Sequence, residues 1–367
     1  MRVAIAAGGT AGHVVPALAI ADALRARGAE VEFAGGERAE AELVPAAGYP
    51  LHRLAVAGLD RANPLRALRA AGLAARATAR ARRLLREIGA DAVIGGGGYV
   101  AGPVGLAAAS LRLPLFLTEA DSHLGVANRL LAPAARRVFL AFPIEGRDGR
   151  RYRVVGRPVP AGTGAADRAA ARRRFDLPPD GLCLLVFGGS IGARSLNRAA
   201  LEAFAPGAPF GVLHASGRRD FPELAERLRE LGSPAHYRLV EYVEPFADAL
   251  AAADLAAARA GGSVFELAAA RLPAVLVPYP HATGAHQDKN ARWMADGGAA
   301  VVLPDAELTA GRLAEAVGGL AADPGGLQRM SQAAARLARP DAADRVADEV
   351  MAAGPSLKGR DLQRFFA

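Results

Sequence analysis

Apolar runs alternate with longer segments of helical periodicity along most of the chain. In the first half, the apolar runs predict strands at 2–7, 31–34, 52–55, 92–95, 114–118, 137–140 and 152–155. The segments between several of them predict helices at 16–27, 38–47, 65–88, 102–111 and 125–134. Strands that alternate with helices in this way indicate βαβ units and a parallel sheet.

The same alternation restarts in the second half. Strands are predicted at 182–187, 211–214, 237–240, 254–257, 274–277 and 299–302. Helices are predicted at 193–203, 221–231, 245–252, 263–270, 286–296, 310–322 and 326–338. The stretch 156–170 carries Pro and Gly without periodicity and predicts a linker. We therefore predict an α/β protein with doubly wound domains at 1–157 and 158–340, and a helical tail at 341–367 that is hypothesised to pack on the first domain.

Two similar glycine loops open the two halves, "AIAAGGTAGH" at 4–13 and "LLVFGGSIGA" at 184–193. Glycine allows a ligand to approach the backbone closely, and a helix N-terminus attracts anions. Neither loop has the G-x-G-x-x-G spacing or a P-loop lysine, which disfavours a nicotinamide dehydrogenase and a P-loop NTPase. The alternative is that these glycines only make tight turns between strand and helix.

The segment 258–294, "ARAGGSVFELAAARLPAVLVPYPHATGAHQDKNARWM", contains a third glycine turn followed by polar residues. Glu266 lies three positions after Ser263, which is the spacing of a capping box, but its carboxylate also suits the diol of a ribose. His281 and His286 could suggest a metal, but no third ligand is obvious, so no metal site is predicted.

Charge and composition indicate which classes of partner and which compartment suit the protein. The formal net charge of +8 favours anionic partners. The single cysteine, Cys183, excludes a disulfide framework and is expected to be a core residue. We find no secretory signal and no apolar run long enough to span a bilayer, which predicts a soluble or peripheral protein.

The segment 61–86 has no acidic residue and many basic ones. Its leucines are Leu65, Leu68, Leu73, Leu84 and Leu85, and its arginines are Arg61, Arg66, Arg69, Arg76, Arg80, Arg82, Arg83 and Arg86. A basic helix with apolar residues suits anionic lipid headgroups, although it can also be a solvated helix face. No aromatic residues interleave for base stacking, so nucleic acid is not expected as a partner.

Four motifs together resemble the MurG family of N-acetylglucosaminyltransferases: "GGTAGHVVPALAIADAL" (8–24), "IGGGGYVAGP" (94–103), "GGSIGARSLN" (188–197) and "ELAAARLPAVLVPYPHATGAHQDKNA" (266–291). The resemblance runs from about residue 1 to 350. It implies a GT-B fold of two Rossmann-like domains with an interdomain cleft. It further implies transfer of GlcNAc from UDP-GlcNAc to lipid I, forming lipid II for peptidoglycan on the cytoplasmic side of the bacterial inner membrane, without a cofactor.

The resemblance also implies roles for individual residues. In the second domain, Glu266 would hold the ribose, the backbone near Val243 the uracil, and Gln287 the GlcNAc ring. Ser190 and the turn of Gly261, Gly262, Ser263 and Val264 would hold the diphosphate. In the first domain, the acceptor pyrophosphate and the reacting centre would face Thr10, Ala11, Gly12 and His13. Asp121 stands where relatives usually carry Asn, and Pro160 where they usually carry Arg.

Transfer from an α-linked diphosphate to a β-glycoside inverts the anomeric carbon and requires a base. We favour His13, because a neutral imidazole is available near pH 7. His13 could instead only bind the acceptor pyrophosphate, and Glu119 and Asp121 compete for the role. Other hypotheses are a different GT-B transferase for UDP-sugars, a UDP-GlcNAc 2-epimerase, or a nucleotide-sugar-binding regulator without catalysis.

Overall fold

The computed structural model describes residues 1–56, 64–189 and 192–354, with only the backbone at 64–71 and Thr283. The chain divides into two units, one formed by Met1–Ala161 with the segment that begins at Asp341, and the other by Gly162–Pro340.

Within the described residues, the first unit contains a parallel sheet of seven strands. These strands are β1 (Arg2–Ala6), β2 (Glu30–Gly35), β3 (Leu51–Arg53), β4 (Ala92–Gly95), β5 (Leu115–Glu119), β6 (Arg137–Leu140) and β7 (Tyr152–Val154). Their spatial order is β3-β2-β1-β4-β5-β6-β7. Consecutive residues of the central strands, such as Ile5 and Ala6, face opposite sides of the sheet and belong to two different apolar clusters. The sheet is therefore covered on both faces, as expected for parallel strands.

In the part of this unit that the structure describes, five helices connect these strands: α1 (Ala11–Ala26), α2 (Ala39–Ala46), α3 (Pro64–Glu87), α4 (Gly98–Ser110) and α5 (Val126–Leu131). Helix α1 begins five residues earlier than predicted and α4 begins four residues earlier. The predicted starts were close to Pro16 and Pro103, but both prolines lie inside the helices. Each proline is the sixth residue of its helix, so the carbonyl four residues before it lacks the usual helical N–H donor. The glycine loops therefore lead directly into helix N-termini.

One face of helix α3 packs into the protein core, whereas the sequence predicted that its leucines face lipid. Leu84 and Leu85 are buried in the apolar cluster beneath the helix, with Ala81. These two leucines are core residues and cannot form part of a lipid-facing surface. The described arginines of the helix are exposed, at Arg76, Arg80, Arg82, Arg83 and Arg86. Arg61 lies outside the described residues, as do the side chains of Leu65, Arg66, Leu68 and Arg69.

The second unit repeats the architecture with six parallel strands among the described residues. They are β8 (Cys183–Phe187), β9 (Gly211–Ala215), β10 (Tyr237–Val240), β11 (Leu255–Ala258), β12 (Ala274–Leu276) and β13 (Ala300–Val302), in the spatial order β10-β9-β8-β11-β12-β13. Cys183 is buried at the start of β8, as expected, and burial raises the pKa of its thiol to about 12.

The helices of this unit are α6 (Arg168–Arg174), α7 (Arg194–Phe204), α8 (Phe221–Glu230), α9 (Phe246–Ala252), α10 (Val264–Ala269), α11 (His286–Asp296), α12 (Ala310–Ala321) and α13 (Pro324–Leu337). Helix α6 begins inside the stretch 156–170 that the sequence analysis interpreted wholly as a linker. Asp167 starts it by accepting hydrogen bonds from the amides of Ala169 and Ala170.

The last described helix, α14 (Ala342–Met351), belongs to the first unit. Val346 and Val350 share an apolar cluster with Leu24 of α1. Arg27, just after α1, forms ion pairs with Asp344 at 2.9 Å and Asp348 at 2.7 Å.

Candidate active site

The strand order places the glycine turns at a specific point of each sheet. The chain starts at β1 and moves outward through β2 and β3, then returns to the other side of β1 with β4. The second unit does the same around β8, with β11 on the returning side. Doubly wound sheets bind ligands at the carboxyl ends of the strands where the order reverses. The loops after β1 and β4, and those after β8 and β11, are therefore the candidate ligand sites.

The loop after β1 leads straight into the N-terminus of α1. Thr10 occupies the cap position, and its side chain makes no capping hydrogen bond. The amides of Ala11 and Gly12 lie in the first turn, where a helix has unpaired N–H groups and partial positive charge. This geometry suits an anion, as the sequence motif predicts.

His13 and Glu119, which compete as candidate bases, line the same pocket. The pocket lies within the first unit, and its wall also includes Gly12, Thr118 and Arg157. The imidazole of His13 lies against Gly97, where an added Cβ would be 2.9 Å from Nδ1. A side chain at Gly97, in the loop after β4, would therefore clash with the imidazole of His13.

Glu119 ends β5 with both carboxylate oxygens engaged. Oε2 accepts hydrogen bonds from the amide of Gly125 at 2.8 Å and from Asn128 Nδ2 at 2.9 Å, and Oε1 accepts from the amide of Asp121 at 3.2 Å. Burial raises the pKa of Glu119, although these hydrogen bonds oppose the shift. Its contacts hold the segment from Asp121 to Asn128 against the strand. The half-buried Asp121 lies next to the pocket wall at Ala120.

In the second unit, hydrogen bonds from a neighbouring helix hold the turn after β11 in place. Asn290 of α11 is buried and donates hydrogen bonds to the carbonyl oxygens of Ala260 at 3.0 Å and Gly261 at 3.3 Å. Gly262 and Ser263 complete the turn, and α10 begins at Val264.

Glu266 lies in the first turn of α10 and is partly buried. The side chain of Ser263 makes no capping hydrogen bond. A capping box needs that bond, so this explanation of the spacing between Ser263 and Glu266 is not supported.

Three other residues are candidates for contacts with the UDP-GlcNAc donor. Gln287 is in the first turn of α11, and its Oε1 accepts a hydrogen bond from the amide of Tyr279 at 2.9 Å. Val243 is buried between β10 and α9. Ser190 lies outside the described residues, which continue only to Gly189 in the loop after β8.

A buried arginine that was not predicted from the sequence lies beside the third glycine turn. Arg259 directly follows β11 and donates to the carbonyl oxygens of Val277 and Pro278 and to Ser195 Oγ. It also pairs with Asp305 at 2.6 Å. One guanidinium therefore ties the turn after β11 to the loop after β12 and the start of α7. The signal was a single Arg inside the apolar run "LAAARAGG".

A network of buried polar residues, also not predicted from the sequence, lies beneath the loop after β8. Asn197 of α7 donates through Nδ2 to the carbonyl of Ser216 at 2.9 Å and to Asp220 Oδ2 at 3.0 Å. His214 of β9 contacts Asn197 Oδ1 at 3.1 Å and the hydroxyl of Tyr237 at 2.7 Å. These residues are all buried, so their hydrogen bonds replace the water that each polar group loses.

Among the described residues, no group of three His, Cys, Asp or Glu side chains is placed to hold a metal ion. No helix in the described ranges is both long and apolar enough to cross a bilayer.

Known proteins resemble this chain along nearly its whole length. Residues 3–140 match the glycosyltransferase family 28 N-terminal domain, and residues 183–346 match the family 28 C-terminal domain. The UDP-N-acetylglucosamine--N-acetylmuramyl-(pentapeptide) pyrophosphoryl-undecaprenol N-acetylglucosamine transferase of Acidithiobacillus ferrooxidans is 45% identical, covering 94% of this chain and 96% of the relative. The enzyme of the same name from Aeromonas hydrophila is 42% identical, covering 94% and 95%.

The crystal structure of Acinetobacter baumannii MurG superimposes with a TM-score of 0.75 at 30% identity, over 96% of this chain and 99% of that one. This likeness confirms the predicted GT-B fold of two Rossmann-like domains. With matches to both family domains and close relatives over nearly its full length, the chain belongs to the MurG family of glycosyltransferases.

Proposed function

We propose that this chain transfers GlcNAc from UDP-GlcNAc to the muramyl C4 hydroxyl of lipid I and so forms lipid II for peptidoglycan. The observation that carries the proposal is the presence of glycine turns at the reversal point of both sheets, in a chain whose relatives are named for this transfer. One sheet can then serve the donor diphosphate and the other the acceptor pyrophosphate.

In this proposal the second unit binds the donor. The backbone amides of Gly262, Ser263 and Val264 donate hydrogen bonds to the diphosphate, with Ser190 adding a hydroxyl. The carboxylate of Glu266 accepts hydrogen bonds from the ribose diol. The support for this assignment is a turn whose backbone is held in place by hydrogen bonds from Asn290, and the position of Glu266 in the first turn of the helix that follows.

Two further contacts complete the donor site. The backbone beside Val243 binds the uracil, and the amide group of Gln287 binds the GlcNAc ring. Val243 lies in the loop between β10 and α9, and Gln287, in the first turn of α11, is held by its bond from the Tyr279 amide.

The first unit binds the acceptor. Thr10 and the amides of Ala11 and Gly12 hold the pyrophosphate of lipid I, and Asp121 contributes to the surrounding wall. A helix N-terminus is suited to this because its unpaired amides are fixed before the anion arrives.

We assign the base to His13. The C4 oxygen forms a bond to the anomeric carbon as the bond from that carbon to the diphosphate breaks, and the hydroxyl proton passes to the imidazole. This single in-line displacement inverts the anomeric carbon. Glu119 is assigned a positioning role, because its oxygens already accept hydrogen bonds from Gly125, Asn128 and Asp121.

The reaction is proposed to need no metal. The leaving UDP carries negative charge that the amides at the turns after β8 and β11 can stabilise, since preorganised dipoles lower the energy of a developing anion. The acceptor lipid places the reaction at the cytoplasmic face of the inner membrane. The exposed arginines of α3 are proposed to bind its anionic headgroups.

The test measures UDP release from UDP-GlcNAc with and without a lipid I analogue, together with the sugar product. Release that depends on the analogue and yields a disaccharide supports the proposal. Release without an acceptor, accompanied by epimerised sugar, would identify a 2-epimerase. Binding of UDP-GlcNAc without turnover on any polyprenyl acceptor would indicate a regulator, and turnover only with another acceptor a different transferase.

A further inference from the structure

A buried carboxylate with no role in the proposed reaction lies under the first glycine loop. Glu40, in the first turn of α2, is completely buried. Its Oε2 accepts a hydrogen bond from the amide of Gly9 at 2.8 Å. Its Oε1 accepts from the amide of Gly36 and from the hydroxyl of Tyr99, each at 2.9 Å. The three donors come from the loops after β1 and β2 and from the start of α4.

Glycine is required where these loops approach the carboxylate. A Cβ added at Gly8 would lie 2.8 Å from Glu40 Oε1, and one added at Gly36 would lie 2.9 Å from the same atom. Gly9 has a φ of 113°, a conformation that other residues rarely adopt. Part of the motif that indicates a site for a substrate anion thus accommodates an anion of the protein itself.

The carboxylate is held in its ionised form. Burial by itself would raise the pKa of Glu40, but the hydrogen bonds from Gly9, Tyr99 and Gly36 outweigh it and lower the pKa below its usual value. The guanidinium of Arg38 lies 5.2 Å from the centre of the Tyr99 ring and places positive charge beside the cluster. Glu40 is therefore a fixed negative group that accepts hydrogen bonds from two backbone loops and from the Tyr99 side chain of α4.

We propose that Glu40 is a positioning residue for the transfer reaction. It fixes the loop from Gly8 to Thr10 before the acceptor binds, and so sets the position of the first turn of α1 and of His13. Since the amide of Gly9 is used by Glu40, the acceptor anion is left to the amides of Ala11 and Gly12. The inference depends on the proposed function only for the identity of the acceptor.

The first test replaces Glu40 by Gln, which keeps the size but turns one acceptor oxygen into a donor that faces other donors. We expect kcat/KM for a lipid I analogue to fall about 10- to 100-fold, because small displacements of binding groups carry losses of this size. The affinity for UDP, bound by the other unit, should stay within about two-fold of wild type. The matched control is Glu42→Gln, at an exposed glutamate of the same helix, which should leave both quantities unchanged.

A second measurement does not depend on activity. Hydrogen–deuterium exchange of the peptide that covers residues 7–13 should be faster in Glu40→Gln than in wild type, without any substrate present, and unchanged in Glu42→Gln. If Glu40→Gln does not fold, Tyr99→Phe removes a single donor and should give a smaller loss of kcat/KM, about three- to ten-fold.

The outcomes separate the two proposals. Wild-type protein that makes no disaccharide would refute the proposed function, while the exchange comparison would still test the positioning role. Folded Glu40→Gln or Tyr99→Phe protein with wild-type exchange and wild-type kcat/KM for the acceptor would overturn the inference. A proportional loss in both acceptor turnover and UDP affinity would also overturn it, because that result indicates general destabilisation.

Discussion

The guanidinium of Arg157 donates a hydrogen bond through Nη2 to the carbonyl oxygen of Gly12. In a regular helix this carbonyl would accept the amide of residue 16, but Pro16 has no N–H. Arg157 is buried, with 9% of its surface exposed, and it follows β7. A residue 145 positions away thus supplies the donor that the sequence of α1 lacks.

Replacing Arg157 by Met should lower the free energy of unfolding by about 2 kcal/mol, because it leaves that carbonyl without its donor. Pro16→Ala restores an amide in the helix, so the same replacement should cost about 1 kcal/mol less in that background. Urea denaturation of wild type, both single variants and the double variant, followed by circular dichroism, measures the difference. Equal costs in the two backgrounds would contradict the explanation.

This pair of residues illustrates which features the sequence can predict. Strands β1 and β8 and the glycine turns after them were predicted correctly, because apolar runs and glycines are local signals. The contact between Arg157 and Gly12 depends on the order of the strands in space, which local periodicity does not specify. The same is true of Glu40, whose hydrogen-bond donors come from two separate loops and the start of α4.

A buried histidine makes the stability of the second unit depend on pH. Burial lowers the pKa of His214 to about 3, so the folded protein keeps this ring neutral while the unfolded chain binds a proton below about pH 6.5. The contribution of the neutral ring is complete above that pH and decreases as the pH falls. The expected loss is up to about 1.4 kcal/mol per pH unit, or about 2 kcal/mol from pH 6.5 to 5.

The variant His214→Gln removes this titration. The difference in stability between wild type and variant should therefore shrink by about 2 kcal/mol from pH 6.5 to 5. Urea unfolding can be followed by the fluorescence of Trp293, the single tryptophan of the chain, which lies in the second unit. His281→Gln, at an exposed histidine, is the control. A difference that stays constant with pH would mean that His214 is not the group responsible.

Glu266→Gln tests the proposed contact with the ribose. A carboxylate only accepts hydrogen bonds, whereas the amide nitrogen of Gln would face a hydroxyl donor. Losing charged hydrogen bonds of about 1.5 to 3 kcal/mol corresponds to about a 10- to 150-fold weaker affinity for UDP by calorimetry. Wild type should prefer UDP to 2′-deoxy-UDP, and the variant should lose most of this preference. Glu226→Gln, on the exposed face of α8, should change neither.

His13→Ala tests the assignment of the base. General base catalysis contributes about 10²- to 10⁴-fold, so kcat should fall by that factor. The affinity for UDP should not change, because His13 belongs to the unit proposed to bind the acceptor. His52→Asn, at a histidine of β3 that pairs with Glu32, controls for the loss of an imidazole from the same unit. A variant with near-normal kcat would show that the base is another group.

The exposed arginines of α3 are predicted to strengthen binding to anionic membranes. The variant Arg80→Ser with Arg83→Ser removes two exposed charges of about 1 kcal/mol each at an anionic surface, which predicts about 30-fold weaker partitioning onto vesicles rich in anionic lipid. Arg227→Ser with Arg229→Ser makes the same change in net charge on α8 of the second unit. Sedimentation with anionic and with neutral vesicles compares the two variants. An equal loss for both pairs would attribute binding to the net charge of the protein, whereas a loss confined to the α3 pair would assign it to this helix face.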